Sequence, residues 1–203
     1  GCVILKEKNY GESVIGNGNY SVRYVPYDGD FSDMTQPAEG LSEYEDSIRK
    51  ANLALPDGLA QELLQLADEN GISADDENVM EKVAEFIRSS GTYNTRTRAT
   101  PEDKDFVLYF LKESHEGYCV HFASAAAVMY RALGIPARYV SGFAFDVRYG
   151  GRWQTVTDYS AHAWVEVFIS GVGWVPVEVT GGDAARWEEQ QTPESADEPE
   201  NMQ

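Results

Sequence analysis

The stretch EGYCVHFASAAAVMYRALGIPARYVSGF, residues 116–143, decides how the rest of the chain is read. It sets a cysteine at the point where an apolar, alanine-rich helical pattern begins. That helix is expected from about Cys119 to Leu133, with Gly134 as its stop and Pro136 just beyond. Gly117 is expected to let the chain turn sharply into it, and Ala123, Ala125, Ala126 and Ala127 to let it lie close against a sheet. Cysteine reacts as the thiolate, and the positive end of a helix dipole stabilises that charge. Cys119 therefore reads as a candidate nucleophile. The plainer alternative is a buried structural cysteine, since free cysteine is among the most buried residue types.

On either side of this stretch the hydrophobic period changes. Upstream, LPDGLAQELLQLADENG places Leu59, Leu63, Leu66 and Ala67 at helical spacing, with Gly71 as a stop. ISADDENVMEKVAEFIRSSG is expected to open a second helix at Ser73, with Val79, Val83, Phe86 and Ile87 buried. TPEDKDFVLYFLKES is expected to start a third at Thr100 and Pro101, with Phe106, Leu108, Tyr109 and Leu111 on its apolar side. Downstream, ARYVSGFAFDV, RWQTVTDY, AHAWVEVFI and GWVPVEVT alternate with period two and are parted by turn residues, which predicts strands. Helices first and an antiparallel sheet second make the expected class α+β.

Cysteine catalysis needs a base, and the base needs an orienting acceptor. The chain has three histidines. His115 and His121 are poorly placed to aim at a sulfur so close in sequence. His162 opens the strand AHAWVEVFI, sharing a face with Trp164, Glu166 and Phe168, while Ala163, Val165, Val167 and Ile169 face the core. After the turn SGVG, GWVPVEVT should pair back and bring Glu178 alongside His162, where a carboxylate would fix the tautomer and stabilise the cation. The expected set is Cys119, His162 and Glu178. A zinc site on His115, Cys119 and His121, with His162 as a further candidate ligand, is the weaker alternative, because that spacing matches no standard structural pattern. No cofactor or metal is expected. Tyr118, Trp153, Trp164 and Trp174 are candidate groove residues, although Trp164 and Trp174 sit in strand patterns that favour packing.

These motifs, GYC at 117–119, ALGIPARYVSGF, HAWVEV and GWVPVEVT, together resemble the transglutaminase-like superfamily of papain-type cysteine enzymes. The resemblance spans roughly residues 57 to 180 and implies a papain-like α+β fold, with a thiol nucleophile on a helix packed against an antiparallel sheet that supplies histidine and acid. It implies acyl transfer through a thioester on a peptide or carboxamide, with peptidase or amidase action favoured over cross-linking. A module that binds a peptide or protein partner without turnover is the alternative. The nearest likeness is to bacterial extracytoplasmic members attached to membrane helices, so membrane attachment is expected only through segments absent from this chain. Where that family usually ends in D-P-T or D-x-T, this chain has Glu178, Val179 and Thr180. The additional methylene would move the carboxylate by about 1.5 Å unless the backbone compensates.

Bulk composition bounds the partners. Across 203 residues the net charge is −18, which disfavours nucleic acid and anionic membrane surfaces. Hydrophobic content of 42% supports one core of domain size. The two cysteines, Cys2 and Cys119, are too few for a disulfide framework. Residues 1–56 are expected to be an irregular extension with one or two short strands, 57–182 the catalytic domain, and 183–203 an acidic flexible tail. No run of about 18 apolar residues is present, so no membrane span is expected.

Overall fold

The computed structural model describes residues 42–144 and 156–181. Expectations for Cys2, Trp153, the strands near the N-terminus and the acidic tail lie outside the described residues. Helix α1 (Ser42–Asn52) stands where irregular chain was expected. It is followed by α2 (Leu59–Glu69), α3 (Val79–Ser89), the short strand β1 (Thr92–Tyr93), α4 (Phe106–Tyr109), β2 (Glu116–Gly117), α5 (Cys119–Ala132), β3 (Ala137–Phe143), β4 (Ala161–Ile169) and β5 (Gly173–Val177). β3, β4 and β5 form an antiparallel sheet in that order, and β1 pairs with β2 in parallel. The order is α+β, helices first and an antiparallel sheet second, as the sequence pattern implied.

The alanine-rich α5 is the centre of the molecule, packed between α2 and α3 on one side and β3 and β4 on the other. Its small side chains allow that double contact, with Ala123, Ala125 and Ala126 fully buried. Around it lie Leu63, Val83, Ile87, Phe110, Phe122, Met129, Tyr130, Val165 and Val167, each inaccessible to solvent. Every such large side chain contributes about 1.5–3 kcal/mol of transfer free energy. Tyr130 also donates its hydroxyl hydrogen to the Met80 carbonyl at 2.7 Å, fastening α5 to the start of α3. Two helix ends follow their glycines as expected. Ile72 N donates to Ala67 O and Ile135 N to Tyr130 O, both at 2.9 Å, across left-handed Gly71 and Gly134.

Three local expectations are corrected. Residues 73–78 form turns instead of a first helical turn: Asp76 accepts from Ser73 N at 2.8 Å and pairs with Lys82, and the helix begins only at Val79. Asp105, not Thr100, caps α4, its Oδ1 accepting from Val107 N and Leu108 N at 2.9 Å, while Pro101–Lys104 closes as a turn. α4 then widens into a π-helical turn at Phe110–Ser114. Val107, Phe110 and Leu111 are buried, so of the expected apolar side Leu111 is in the core, while Phe106 and Leu108 pack against it half-buried. Finally, the described end of RWQTVTDY is a 3₁₀ turn, Asp158–Ser160, and not a strand.

Candidate active site

Cys119 is the first residue of α5, entered through an extended Tyr118. The entry is held from two sides. β1 pairs Tyr93 with Gly117, and Asn94 N donates to Gly117 O at 2.7 Å. His121 folds back so that its Nδ1 accepts from Tyr118 N at 3.3 Å. A Cβ at residue 117 would come within 2.6 Å of His121 Cβ and Cγ. Gly117 is thus required by this close approach, and no left-handed turn is involved. The His121 ring lies 4.6 Å from Phe106, 4.7 Å from Tyr118 and 5.7 Å from Phe110, and burial pushes its pKa down. It is a neutral capping and packing residue. His115 donates its Nδ1 hydrogen to Ser90 O at 2.9 Å. Neither neighbour of Cys119 offers that nitrogen to a metal.

His162, the second residue of β4, is 7% exposed. Its Nε2 donates to Glu178 Oε2 at 2.7 Å, and Cys119 is close enough to act on the same ring electrostatically. The three expected residues therefore meet. Extending the β4–β5 register puts Glu178 opposite Trp164, one diagonal step from His162. Cys119 packs on Ala123 and Ala163 as well as meeting His162, so the helix terminus abuts the end of the strand and not its outer face alone. Glu166, the other carboxylate on that outer face, is 3% exposed and bound by Arg138, whose NH2 lies 2.5 Å away and whose guanidinium stacks on Trp174 at 4.1 Å.

The longer glutamate is accommodated by its own backbone. Oε1 accepts from Val179 N at 3.1 Å and Thr180 N at 2.8 Å, which leaves Oε2 for the imidazole. A proline at residue 179 could not have donated the first of these bonds. Burial raises the Glu178 pKa, but the bonds from His162 and Thr180 outweigh it and hold the carboxyl below its usual range. For His162 burial works downward, yet the bonds to Cys119 and Glu178 dominate and lift it to about 9. A protonated imidazole beside a sulfur is the charge state that cysteine acyl transfer uses.

The sulfur and the imidazole line an open cleft of about 1410 Å³. Tyr93, Tyr118, Tyr139 and Tyr159 also line it. Burial raises the pKa of both Tyr93 and Tyr139, and the charge of Cys119 adds to each. Tyr139 and Tyr159 escaped the sequence reading, which gave ARYVSGF and RWQTVTDY no role beyond strands. Period two does place Tyr139 on the helix-side face with Val165, whereas Tyr159 sits in a 3₁₀ turn that the alternation of RWQTVTDY does not describe. Trp174 packs on Phe168 at 5.5 Å and Trp164 stacks near His162 at 6.3 Å.

Residues 65–179, more than half of the chain, match the model of the Transglutaminase-like superfamily. The chain belongs to that superfamily. It is 35% identical over 177 residues to the YebA protein of Bacillus subtilis, covering 81% of this chain and 24% of that protein. It is 36% identical over 96 residues to a protein-glutamine gamma-glutamyltransferase of Pseudomonas aeruginosa, covering 47% of this chain and 14% of that protein. The chain thus spans a quarter or less of the curated relatives it matches. Among solved structures, the periplasmic domain of Pseudomonas aeruginosa TgpA bound to ethylmercury aligns with a TM-score of 0.55 and 32% identity, over 66% of this chain and 48% of that one. Among the described residues no helix is long and apolar enough to cross a membrane.

Proposed function

We propose that this domain is a cysteine-dependent acyltransferase in which Cys119 is the nucleophile, His162 the general base and acid, and Glu178 the group that orients the imidazole. The single observation carrying this reading is the imidazole of His162 held at 2.7 Å by Glu178 while it shares one cleft with Cys119. In the first step the sulfur attacks the carboxamide carbon while His162 carries the proton of the pair. A C–S bond forms, the C–N bond breaks, and the amine leaves with the proton from His162. In the second step water or an amine attacks the thioester, giving its proton to His162. The C–S bond then breaks and the thiol is restored. The backbone N–H of Cys119, unpaired within the helix as its first residue, is the donor proposed for the oxyanion.

A glutamine side chain is the proposed acyl donor, supported by the name of the Pseudomonas aeruginosa relative. The likeness to a periplasmic domain supports an extracytoplasmic setting. The open cleft suits a peptide or protein substrate, and no cofactor enters either step. The test is ammonia release from a glutamine-containing peptide, with and without an added primary amine, by the protein and its Cys119→Ala variant. Turnover abolished in a variant that still melts cooperatively is the expected result, whereas full activity in it overturns the covalent mechanism. Hydrolysis and cross-linking separate by whether the amine appears in the product. A module that binds without turning over would leave iodoacetamide reacting with Cys119 only near the ordinary thiol pKa of about 8.5.

A further inference from the structure

The carboxylate that meets His162 lies beyond the end of β5, so the sheet ladder alone does not hold it. The chain immediately after it is tightly packed. Val179 and Thr180 are buried, and their N–H groups both donate to Glu178 Oε1. At Gly181 a Cβ would stand 2.1 Å from the carbonyl oxygen of Arg88 and 3.0 Å from Phe122 Cε1. The first contact is with backbone in the last turn of α3, which cannot swing aside as a side chain can. The second is with a fully buried ring three residues after Cys119 on α5. From the same turn, Arg88 Nε donates to the carbonyl of Glu178 at 3.2 Å, while NH1 pairs with Glu81 one face-repeat back along α3 at 3.0 Å.

From this we infer that Arg88 and Gly181 are positioning residues: the end of α3 clamps both ends of the segment 178–181 and so sets the Glu178 carboxylate against His162. The inference rests on the triad reading above but is tested apart from it. Because Gly181 also abuts the helix that carries Cys119, one clamp relates acid and nucleophile, and the base joins them through its bond to Glu178. Hydrogen is the sole substituent at residue 181 compatible with it. An added methyl must push the segment off α3, and a displacement of well under 1 Å already stretches a 2.7 Å charge-assisted bond.

The experiment follows the His162 imidazole titration by NMR in a Cys119→Ala background, where the ring titrates against Glu178 without the thiol. Gly181→Ala should lower its midpoint by about one pH unit, approaching the value in the Glu178→Gln control. With Cys119 present, Gly181→Ala should lower kcat at least tenfold and leave KM within twofold. Arg88→Ala, at a half-exposed side chain that folding tolerates, should move the midpoint the same way by a smaller amount, and serves alone if Gly181→Ala does not melt cooperatively. A midpoint unchanged in Gly181→Ala, or in Arg88→Ala where only that variant folds, overturns the clamp. An inactive wild type would overturn the catalytic reading and leave this titration intact.

Discussion

Glu178→Gln removes one charge and one acceptor from a carboxylate that uses both oxygens. In the native site Oε1 receives two backbone N–H groups, at 3.1 and 2.8 Å, and Oε2 receives the imidazole hydrogen at 2.7 Å. Glutamine has one acceptor oxygen, so its amide NH₂ must face either the two backbone donors or Nε2. Turning NH₂ toward the backbone sets donor against donor, and each unsatisfied group costs about 1–3 kcal/mol. The oxygen therefore stays on Val179 and Thr180, and NH₂ points at Nε2. That forces the imidazole hydrogen onto Nδ1, facing the sulfur, which is the tautomer unable to take the thiol proton. The lost charge-assisted bond is worth about 1.5–3 kcal/mol, reduced here because the Glu178 side chain is 51% exposed. Tautomer error in other nucleophile–histidine–acid sites costs about 10⁴ in kcat. We expect a fall in kcat of about 10²–10⁴, with a melting transition that stays cooperative and a Tm lower by a few degrees near neutral pH. The assay is steady-state ammonia release from a glutamine peptide between pH 6 and 9, with nitrogen-15 NMR of His162 reporting the tautomer. A Glu178→Gln rate within twofold of wild type across that range would refute the reasoning.

The same pair makes stability depend on pH. His162 is raised from 6.5 to about 9, so its contribution is complete below about 6.5 and is lost as pH climbs through about 9. Glu178 is held below 4.5, so its contribution is complete above about 4.5 and is lost as pH falls through its lowered value. The Tm difference between wild type and Glu178→Gln should therefore be widest between about pH 5 and 7 and should narrow on both sides. A difference that grows above pH 9 contradicts the assignment. Gly117→Ala should destabilise by about 2–4 kcal/mol in urea, because a methyl 2.6 Å from the buried His121 ring dislodges the helix cap; an unchanged midpoint would sink that account. Arg138→Ala strands the buried Glu166 carboxylate and should cost about 2–3 kcal/mol, less than a fully buried pair because Arg138 is 39% exposed. Turnover per folded molecule should be unaffected by Arg138→Ala, which separates this carboxylate from Glu178.

Legibility in the sequence tracked the range of the interaction. Period 3.6 in residues 59–67 and 79–87 and period two in residues 137–143 and 161–169 reflect side chains meeting one continuous apolar face. The corresponding elements α2, β3 and β4 came out as expected, and α3 did so apart from its start. Turn glycines 71 and 134 act within a few residues and were equally plain. Failures occurred where two local signals competed. Thr100 and Asp105 can both cap a helix, and Asp105 prevails because its carboxylate meets the N–H groups of both Val107 and Leu108. The meeting of His162 with Glu178 was legible because hairpin pairing converts sequence separation into a register, even though the actual contact is diagonal.

By itself the chain determined an α+β order of elements, a nucleophile at a helix start, and two candidate partners on adjoining strands, since these depend on short-range periodicity and side-chain chemistry. Only the tertiary structure decided how each carboxylate on the outer face of the sheet is held. Arg138 occupies Glu166, while the Val179 and Thr180 amides orient Glu178. It also decided what Gly117 and Gly181 are for. Their role is to omit a methyl where another part of the chain passes within bonding distance of it, and no local pattern records a neighbour that arrives only on folding.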